Sequence, residues 1–348
     1  MVTDMVTDMA TQKSLNIMVI NTNSLSDLKN KSILITGGAG FIGSHLSEFF
    51  VKNGAKRVVV LDDLSTGFKK NIEHFLAEPN FEFIEGSIVD LETCLHACKD
   101  INVVLHHAAL GSVPRSVENP MATNLVNVNG FVNMLYAAKE CGVQKFIYAS
   151  SSSVYGDDQT FPKIESKTGN LLSPYAVSKC TNEKYATVFS SLYGLKTIGF
   201  RYFNVFGERQ NPIGAYAAVI PKFISALLKN EQATIYGTGN NTRDFTYVAN
   251  VVNANVLAIS KQEMTANSVM NIACGGTISV NDIYKNISSL LEKSDTDPIY
   301  VSERKGEIKD SFANIALAKE TIGYEPIVDI HTGIKKTVSW YKDINKNL

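Results

Sequence analysis

What this sequence lacks narrows it first. Its 33 lysines and arginines are balanced by 34 acids, for a formal net charge of −1. A chain so nearly neutral has no field with which to gather a polyanion, so neither nucleic acid nor an anionic membrane surface is expected as a partner. No apolar run approaches the roughly 18 residues that suggest a membrane span. No basic start leads into an apolar stretch of signal-peptide type. Cysteine is sparse and odd in number, at positions 94, 98, 141, 180 and 274. The only close pair, Cys94 and Cys98, has no companion ligands at zinc-site spacing, so no metal is expected. One helical turn apart, the two are expected on an amphipathic helix face, in a protein of the reducing cytoplasm.

What is present is ample apolar material: 45% of 348 residues are hydrophobic and 19% charged, enough for one large α/β unit or two intimate domains. Residues 1–30 repeat a short motif, Met1–Asp4 and Met5–Asp8, and then turn polar; a loosely ordered extension is expected there. From Lys31 onward β-branched runs alternate with helical patterns. The strand signals are Ile33–Thr36, Val58–Asp62, Phe81–Ile84, Val103–His106, Phe146–Ala149 and Thr197–Phe200, with helices notably at Phe41–Lys52, Ala122–Glu140 and Pro174–Tyr193. This alternation predicts a Rossmann-type, doubly wound parallel sheet with helices on both faces, and a smaller C-terminal substrate-binding region. The boundary is expected near Tyr202–Asn204: residues 31–203 as the dinucleotide-binding domain and 204–348 as the substrate domain, with 242–275 returning to the first. Helical patterns recur at Ala217–Lys229 and Val280–Glu292.

Between the first strand and first helix stands Thr36-Gly37-Gly38-Ala39-Gly40-Phe41-Ile42-Gly43. Glycines at 37, 40 and 43 permit a tight turn, close approach of backbone to a pyrophosphate, and close packing of helix on strand. The helix N-terminus then presents free N–H groups and a positive dipole to the phosphates. The second strand ends in Asp62, 19 residues after Gly43, where a carboxylate accepts bonds from the adenosine ribose hydroxyls. It would repel a 2′-phosphate, so NAD is favoured over NADP.

Ser173-Pro174-Tyr175-Ala176-Val177-Ser178-Lys179 reads as a helix start, with Ser173 at the N-cap and Pro174 at the first helical position. Tyr175 and Lys179 share a face. A free tyrosine, at a pKa of about 10, is a poor base at neutral pH; a neighbouring ammonium and a positive nicotinamide ring are expected to lower it. The fifth strand ends in the run Ser150-Ser151-Ser152-Ser153-Val154-Tyr155-Gly156, at the carboxyl edge that faces the ligand crevice. Ser151, and after it Ser152, is the candidate to bond a reacting sugar oxygen.

Together these residues resemble the extended short-chain dehydrogenases/reductases, and in particular bacterial UDP-N-acetylglucosamine/N-acetylgalactosamine 4-epimerases. Four further stretches carry the likeness: 108–116 (AALGSVPRS), 201–207 (RYFNVFG), 214–222 (GAYAAVIPK) and 242–245 (TRDF). The resemblance implies NAD contacts at Phe41, Ile42, Asp63, Ser65, Thr66 and Gly67. It adds Ser87, Ile88, Ala108 and Ala109, then Asn127 and Tyr202 beside Tyr175 and Lys179. For the UDP-sugar it implies Ser112 and Ala218, with Asn204 on the diphosphate, Val219 and Lys222 along the nucleotide, and Tyr236 near the uracil. Arg243 and Arg304 would clamp the diphosphate with planar, permanently charged forks. Two positions depart from the family pattern: Ser87 stands where an acid often follows the glycine, and Lys309 replaces the second arginine of the late motif.

Related dehydratases and decarboxylases carry a glutamate two residues before the tyrosine of the V-Y-G segment, and dehydratases an aspartate before that. Here the positions are Ser153 and Ser152. The resemblance therefore implies epimerisation through a transient 4-keto sugar with NAD regenerated in each turnover; a dehydratase, decarboxylase or one-way reductase is the alternative. Seven residues after Arg304, Ser311 matches the family's sugar-pocket gate. A small residue there leaves room for a 2-acetamido group, so UDP-GlcNAc and UDP-GalNAc are the expected substrates, with uronic acid or UDP-Glc/UDP-Gal forms open. A homodimer is the family expectation, through helices such as Ala122–Glu140 and Pro174–Tyr193.

Overall fold

A computed structural model describes residues 28–213, 217–261, 267–303 and 310–346. The expected loose extension therefore falls outside the described residues up to 27, as do residues 214–216, Arg304 and Lys309.

Seven strands form one parallel sheet: β1 (Ser32–Thr36), β2 (Arg57–Asp62), β3 (Phe81–Glu85), β4 (Val103–His106), β5 (Lys145–Ser151), β6 (Lys196–Tyr202) and β7 (Asn267–Ile272), in the order β3-β2-β1-β4-β5-β6-β7. The strand order reverses between β1 and β4, which opens a crevice at their carboxyl ends. All of β1 is buried because both faces are covered. Ile33 and Ile35 point into one apolar layer and Leu34 into the other, following the alternation of a strand. The six expected strands are present; the seventh joins from later in the chain.

On the first face pack α1 (Phe41–Lys52), through Leu46 and Phe50, and a later helix, Val248–Ser260, through Val251 and Val256. On the other lie α2 (Leu91–Cys98), α3 (Gly130–Glu140) and α4 (Pro174–Tyr193). Cys94 and Cys98 are both buried on α2 against that core, and all five cysteines are free thiols. The stretch expected as a single helix over Ala122–Glu140 is three segments: Pro120–Asn124, a widened π turn at Leu125–Asn129, and α3. The π turn carries Asn127, which is buried.

A third core gathers α5 (Val219–Leu228), α6 (Val248–Ser260), α7 (Val280–Leu290) and α9 (Ile330–Lys346), with α8 (Ala316–Ile322) on the sheet side. Phe206, Phe223, Ile224, Tyr284, Ile287 and Val338 fill it. Lys145, at the start of β5, ties α6 to the sheet. Its buried ammonium donates to the carbonyls of Ala258 (2.9 Å), Ile259 (2.7 Å) and Lys261 (2.5 Å), capping the negative end of that helix.

Candidate active site

The glycine turn is built by steric exclusion. Gly37 has φ +68°, and a Cβ there would stand 2.7 Å from the backbone nitrogen of Ala108. A Cβ on Gly43 would stand 2.1 Å from the Gly37 carbonyl oxygen. Gly38 is also committed, because its Cβ would meet Val60 of β2 at 2.6 Å; the three-glycine spacing alone did not single it out. Gly40 is the N-cap of α1 and has no side chain to cap it, and the first turn carries no acid. The helix end is thus left to an anion.

Around the turn opens a cleft of about 460 Å³, lined among others by Gly37, Asp62, Asp63, Ser65, Thr66, Ile88, Ala108 and Ala109. Asp62 is nearly buried; its oxygens accept the N–H of Ala39 (2.9 Å) and Leu64 (2.8 Å). Burial raises its pKa, with those backbone bonds opposing. Asp63 accepts both the N–H (3.0 Å) and the hydroxyl (2.5 Å) of Ser65. Gly67 is pressed against Asp62: its Cβ would lie 2.9 Å from a carboxylate oxygen. Phe41 and Ile42 begin α1, half-buried, and the Ser87 hydroxyl accepts the Val89 N–H at 3.4 Å. A cradle that admits no Cβ, an uncapped helix end and an acid at the tip of β2 fit a dinucleotide.

Asn127 and Tyr202 lie beneath this cleft. Asn127 accepts the Leu110 N–H at 2.8 Å and donates to Ser178 Oγ at 3.2 Å, so it joins the loop after β4 to α4. Tyr202 is nearly buried, its hydroxyl accepting from Asn255 Nδ2 (2.9 Å) and lying 3.0 Å from Nε2 of His107. Burial lowers His107 to about 3. The imidazole is therefore neutral, and an unprotonated Nε2 accepts a hydrogen bond from the tyrosine hydroxyl. His107 lines the cleft and was not singled out from the sequence; its only signal was its place beside Ala108.

α4 has the bounds expected of it. Ser173 Oγ accepts the Ala176 N–H (3.1 Å), Pro174 occupies the first turn, and Gly194 ends the helix at φ +71°. Lys179 Nζ donates to the carbonyl of Ala149 at 2.7 Å and lies 5.9 Å from the centre of the Tyr175 ring. Ser151 ends β5 with its hydroxyl accepting the Ser153 N–H at 3.1 Å and lies close enough to Tyr175 to act on its phenol; Ser152 opens the following turn. Burial pushes the Tyr175 phenol up, and the neighbouring Ser151 opposes it. Desolvation dominates at the phenol, and the Lys179 ammonium is held on the Ala149 carbonyl.

Burial also lowers Lys179 to about 8. A lysine whose folded pKa is depressed costs stability fully below that value, and the cost is relieved as pH rises from 8 towards the unfolded value of about 10.4. Lys179→Met is expected to be inactive yet more stable than the parent at pH 7, by about 1–3 kcal/mol after the lost hydrogen bond is counted. The gain should vanish by pH 10, as denaturant unfolding across that range would read.

A second cavity, of about 970 Å³, brings together Asn204, Ala218, Val219, Lys222, Tyr236 and Arg243 with the apolar walls Phe223, Phe245 and Val280. Asn204 donates to the Asp244 carbonyl at 2.9 Å. Strand Thr242–Arg243 pairs with Asp310–Ser311, setting Ser311 opposite Arg243 in register. Ser112 stands apart from this cavity as the N-cap of helix Val113–Glu118, accepting the Arg115 N–H at 3.2 Å. Arg304 lies outside the described residues. Asp244, which sequence reasoning quoted but gave no role, is buried and accepts the N–H groups of Cys274 (2.9 Å), Gly275 (2.9 Å) and Ala313 (3.3 Å). It gathers three segments around Arg243.

Residues 33–273 match the model of the NAD dependent epimerase/dehydratase family, more than half of the chain. The chain belongs to that family. NAD is the family's cofactor. Among solved structures, a UDP-N-acetylglucosamine 4-epimerase from Methanobrevibacter ruminantium in complex with UDP-N-acetylmuramic acid is 38% identical, with TM-score 0.86, covering 91% of this chain and 99% of that one. A UDP-glucose 4-epimerase from Thermotoga maritima with UDP-glucose is 36% identical, with TM-score 0.84, covering 90% and 99%. A UDP-glucose 4-epimerase of Mycolicibacterium smegmatis is 36% identical over 312 residues, 89% of this chain and 98% of the relative. Among the described residues of this family member, no helix is long and apolar enough to cross a membrane.

Proposed function

We propose that this chain is an NAD-dependent UDP-sugar 4-epimerase whose preferred pair is UDP-GlcNAc and UDP-GalNAc. The observation that carries the reading is the cluster of Tyr175, Lys179 and Ser151 at the end of β5, followed by serines rather than acids at 152 and 153. Eliminating water or losing carbon dioxide needs a further acid/base group on the substrate; interconverting epimers does not.

Tyr175 takes the proton of the sugar 4-hydroxyl and later returns it, while Ser151, with Ser152 beside it, bonds the moving oxygen. Lys179 holds the nicotinamide ribose and supplies positive charge. Gly37, Gly40 and Gly43 admit the pyrophosphate and Asp62 the adenosine ribose. Bound there, NAD would supply a reversible hydride acceptor for carbon 4 of the sugar, with no net consumption of cofactor. Arg243 and Asn204 hold the diphosphate, with Arg304 assigned the same role; Val219 and Tyr236 flank the base. Ser311, opposite Arg243, leaves room for the acetamido group.

The deciding measurement is interconversion of UDP-GlcNAc and UDP-GalNAc without added cofactor and without net NADH. Steady NADH accumulation would make it a one-way dehydrogenase. Ser311→Tyr is expected to cut kcat/KM for the N-acetylated pair by at least about tenfold, a ~1.4 kcal/mol steric cost, while sparing UDP-glucose. Undiminished turnover of the N-acetylated sugars would sink the gate.

The same reading includes a homodimer. Helix Pro120–Asn124 leaves Met121 77% exposed and α4 leaves Leu192 69% exposed, apolar side chains that a second copy would cover. Sedimentation equilibrium should give twice the chain mass.

A further inference from the structure

Directly behind the end of β5 lies a buried polar network that the proposed chemistry does not use. Glu183 follows Lys179 by one helical turn and Tyr175 by two, so the three side chains leave α4 on one face. Its carboxylate accepts the Ser150 hydroxyl at 2.6 Å and grips Arg201 with two bonds, from Nε at 2.9 Å and Nη2 at 2.8 Å. Ser150 and Arg201 are register partners across β5 and β6, and the next pair in that register is Ser151 with Tyr202. All three members are nearly buried. Arg201 reaches further: Nη1 donates to the Glu165 carbonyl (3.1 Å), and the guanidinium sits 4.9 Å from the centre of the Tyr155 ring, in the turn that follows Ser151.

Stability alone is a poor account of this pair. Taking two charges out of water costs about as much as their attraction returns, and apolar side chains of the same volume often do as well. What a two-bond fork supplies is a fixed distance and angle. Here it is anchored at one end on the helix of Tyr175 and Lys179, and at the other on the strand residues immediately preceding Ser151 and Tyr202.

We propose that Glu183, gripped by Arg201 and Ser150, is a positioning residue that sets Tyr175 on α4 at its working distance from Ser151 on β5. The proposal rests on Tyr175 and Ser151 being the reacting pair.

The test is kinetic, on the full chain with its cofactor. Glu183→Gln keeps shape but loses one arm of the fork, and a displacement near 1 Å at the reacting atoms is worth about 10²-fold in rate. The expected result is a kcat lowered by about that factor with the UDP-sugar KM unchanged within about threefold, and a kcat–pH profile displaced because the placement of Tyr175 against Ser151 is altered. Arg201→Lys keeps the charge without the fork and should not restore kcat. Ser150→Ala leaves no buried charge unpaired; it should fold like the parent and lose kcat about five- to tenfold, which decides the matter if Glu183→Gln fails to fold. Parental kcat and pH profile in folded, NAD-loaded Ser150→Ala, or in folded Glu183→Gln, would overturn the proposal. Activity surviving in Tyr175→Phe would be a different failure, that of the assignment of the base itself.

Discussion

Tyr175→Phe should lower the epimerisation kcat by about 10²–10⁴-fold, the usual worth of a positioned acid/base group, while leaving cofactor content and folding intact. The phenol is half-buried and lies close to Ser151. Removing a hydroxyl that burial has already pushed away from ionisation costs the fold little. The effect should therefore appear in kcat with almost none in Tm, a separation that a packing residue would not show. Calorimetry beside steady-state assays on the same preparation reads both. A variant that keeps a tenth or more of the parental rate would remove Tyr175 from the role of base.

Gly43→Ala is expected to expel the cofactor. The new methyl would stand 2.1 Å from the Gly37 carbonyl oxygen and 2.8 Å from Gly38 Cα, both backbone atoms of the very turn that must face the pyrophosphate. Backbone cannot step aside as the tip of a side chain can, so the turn opens or α1 tilts. Overpacking of this kind costs about 2–3 kcal/mol, roughly 30- to 150-fold in NAD affinity if borne by the bound state. Gly54→Ala, at the far end of the same helix, is the control. Its φ is +73° and a Cβ there meets nothing within 4 Å, so it should cost about 1 kcal/mol of backbone strain and leave NAD affinity alone. Equal loss of cofactor in both variants would mean that general destabilisation, and not the turn, is being measured.

The features that could be read directly from the chain are those whose physical cause is local. Gly37 adopts a positive φ within its own turn, and Ser173, Pro174 and Gly194 delimit α4 by bonds to neighbours three or four residues away. The alternation of Ile33, Leu34 and Ile35 between two apolar layers is a property of any strand covered on both faces. Order along the chain, strand then helix, was enough to imply a doubly wound parallel sheet, because short right-handed connections leave few other arrangements.

What stayed hidden depends on partners far apart in sequence or on collective burial. Glu183 and Arg201 are ordinary charged residues until α4 is laid on β5 and β6. His107, Tyr202 and Asn255 become one hydrogen-bonded line only when β4, β6 and α6 are stacked. Asp244 gathers Cys274, Gly275 and Ala313 across gaps that no spacing motif describes. The Tyr175–Lys179 pair shows the division most clearly. Its spacing and helical face were fixed by four residues of α-helix, whereas the sign of the tyrosine's shift was decided by tertiary structure: desolvation sums over everything that surrounds the ring, and the Ala149 carbonyl that holds Lys179 belongs to another element altogether. By itself the sequence determined six of the seven strands, the dinucleotide turn and the identity of the candidate reacting groups, since each rests on neighbours within a turn or two. Only the assembled fold decided their protonation energetics and their mutual distance, because those are set by atoms brought together from separate strands and helices.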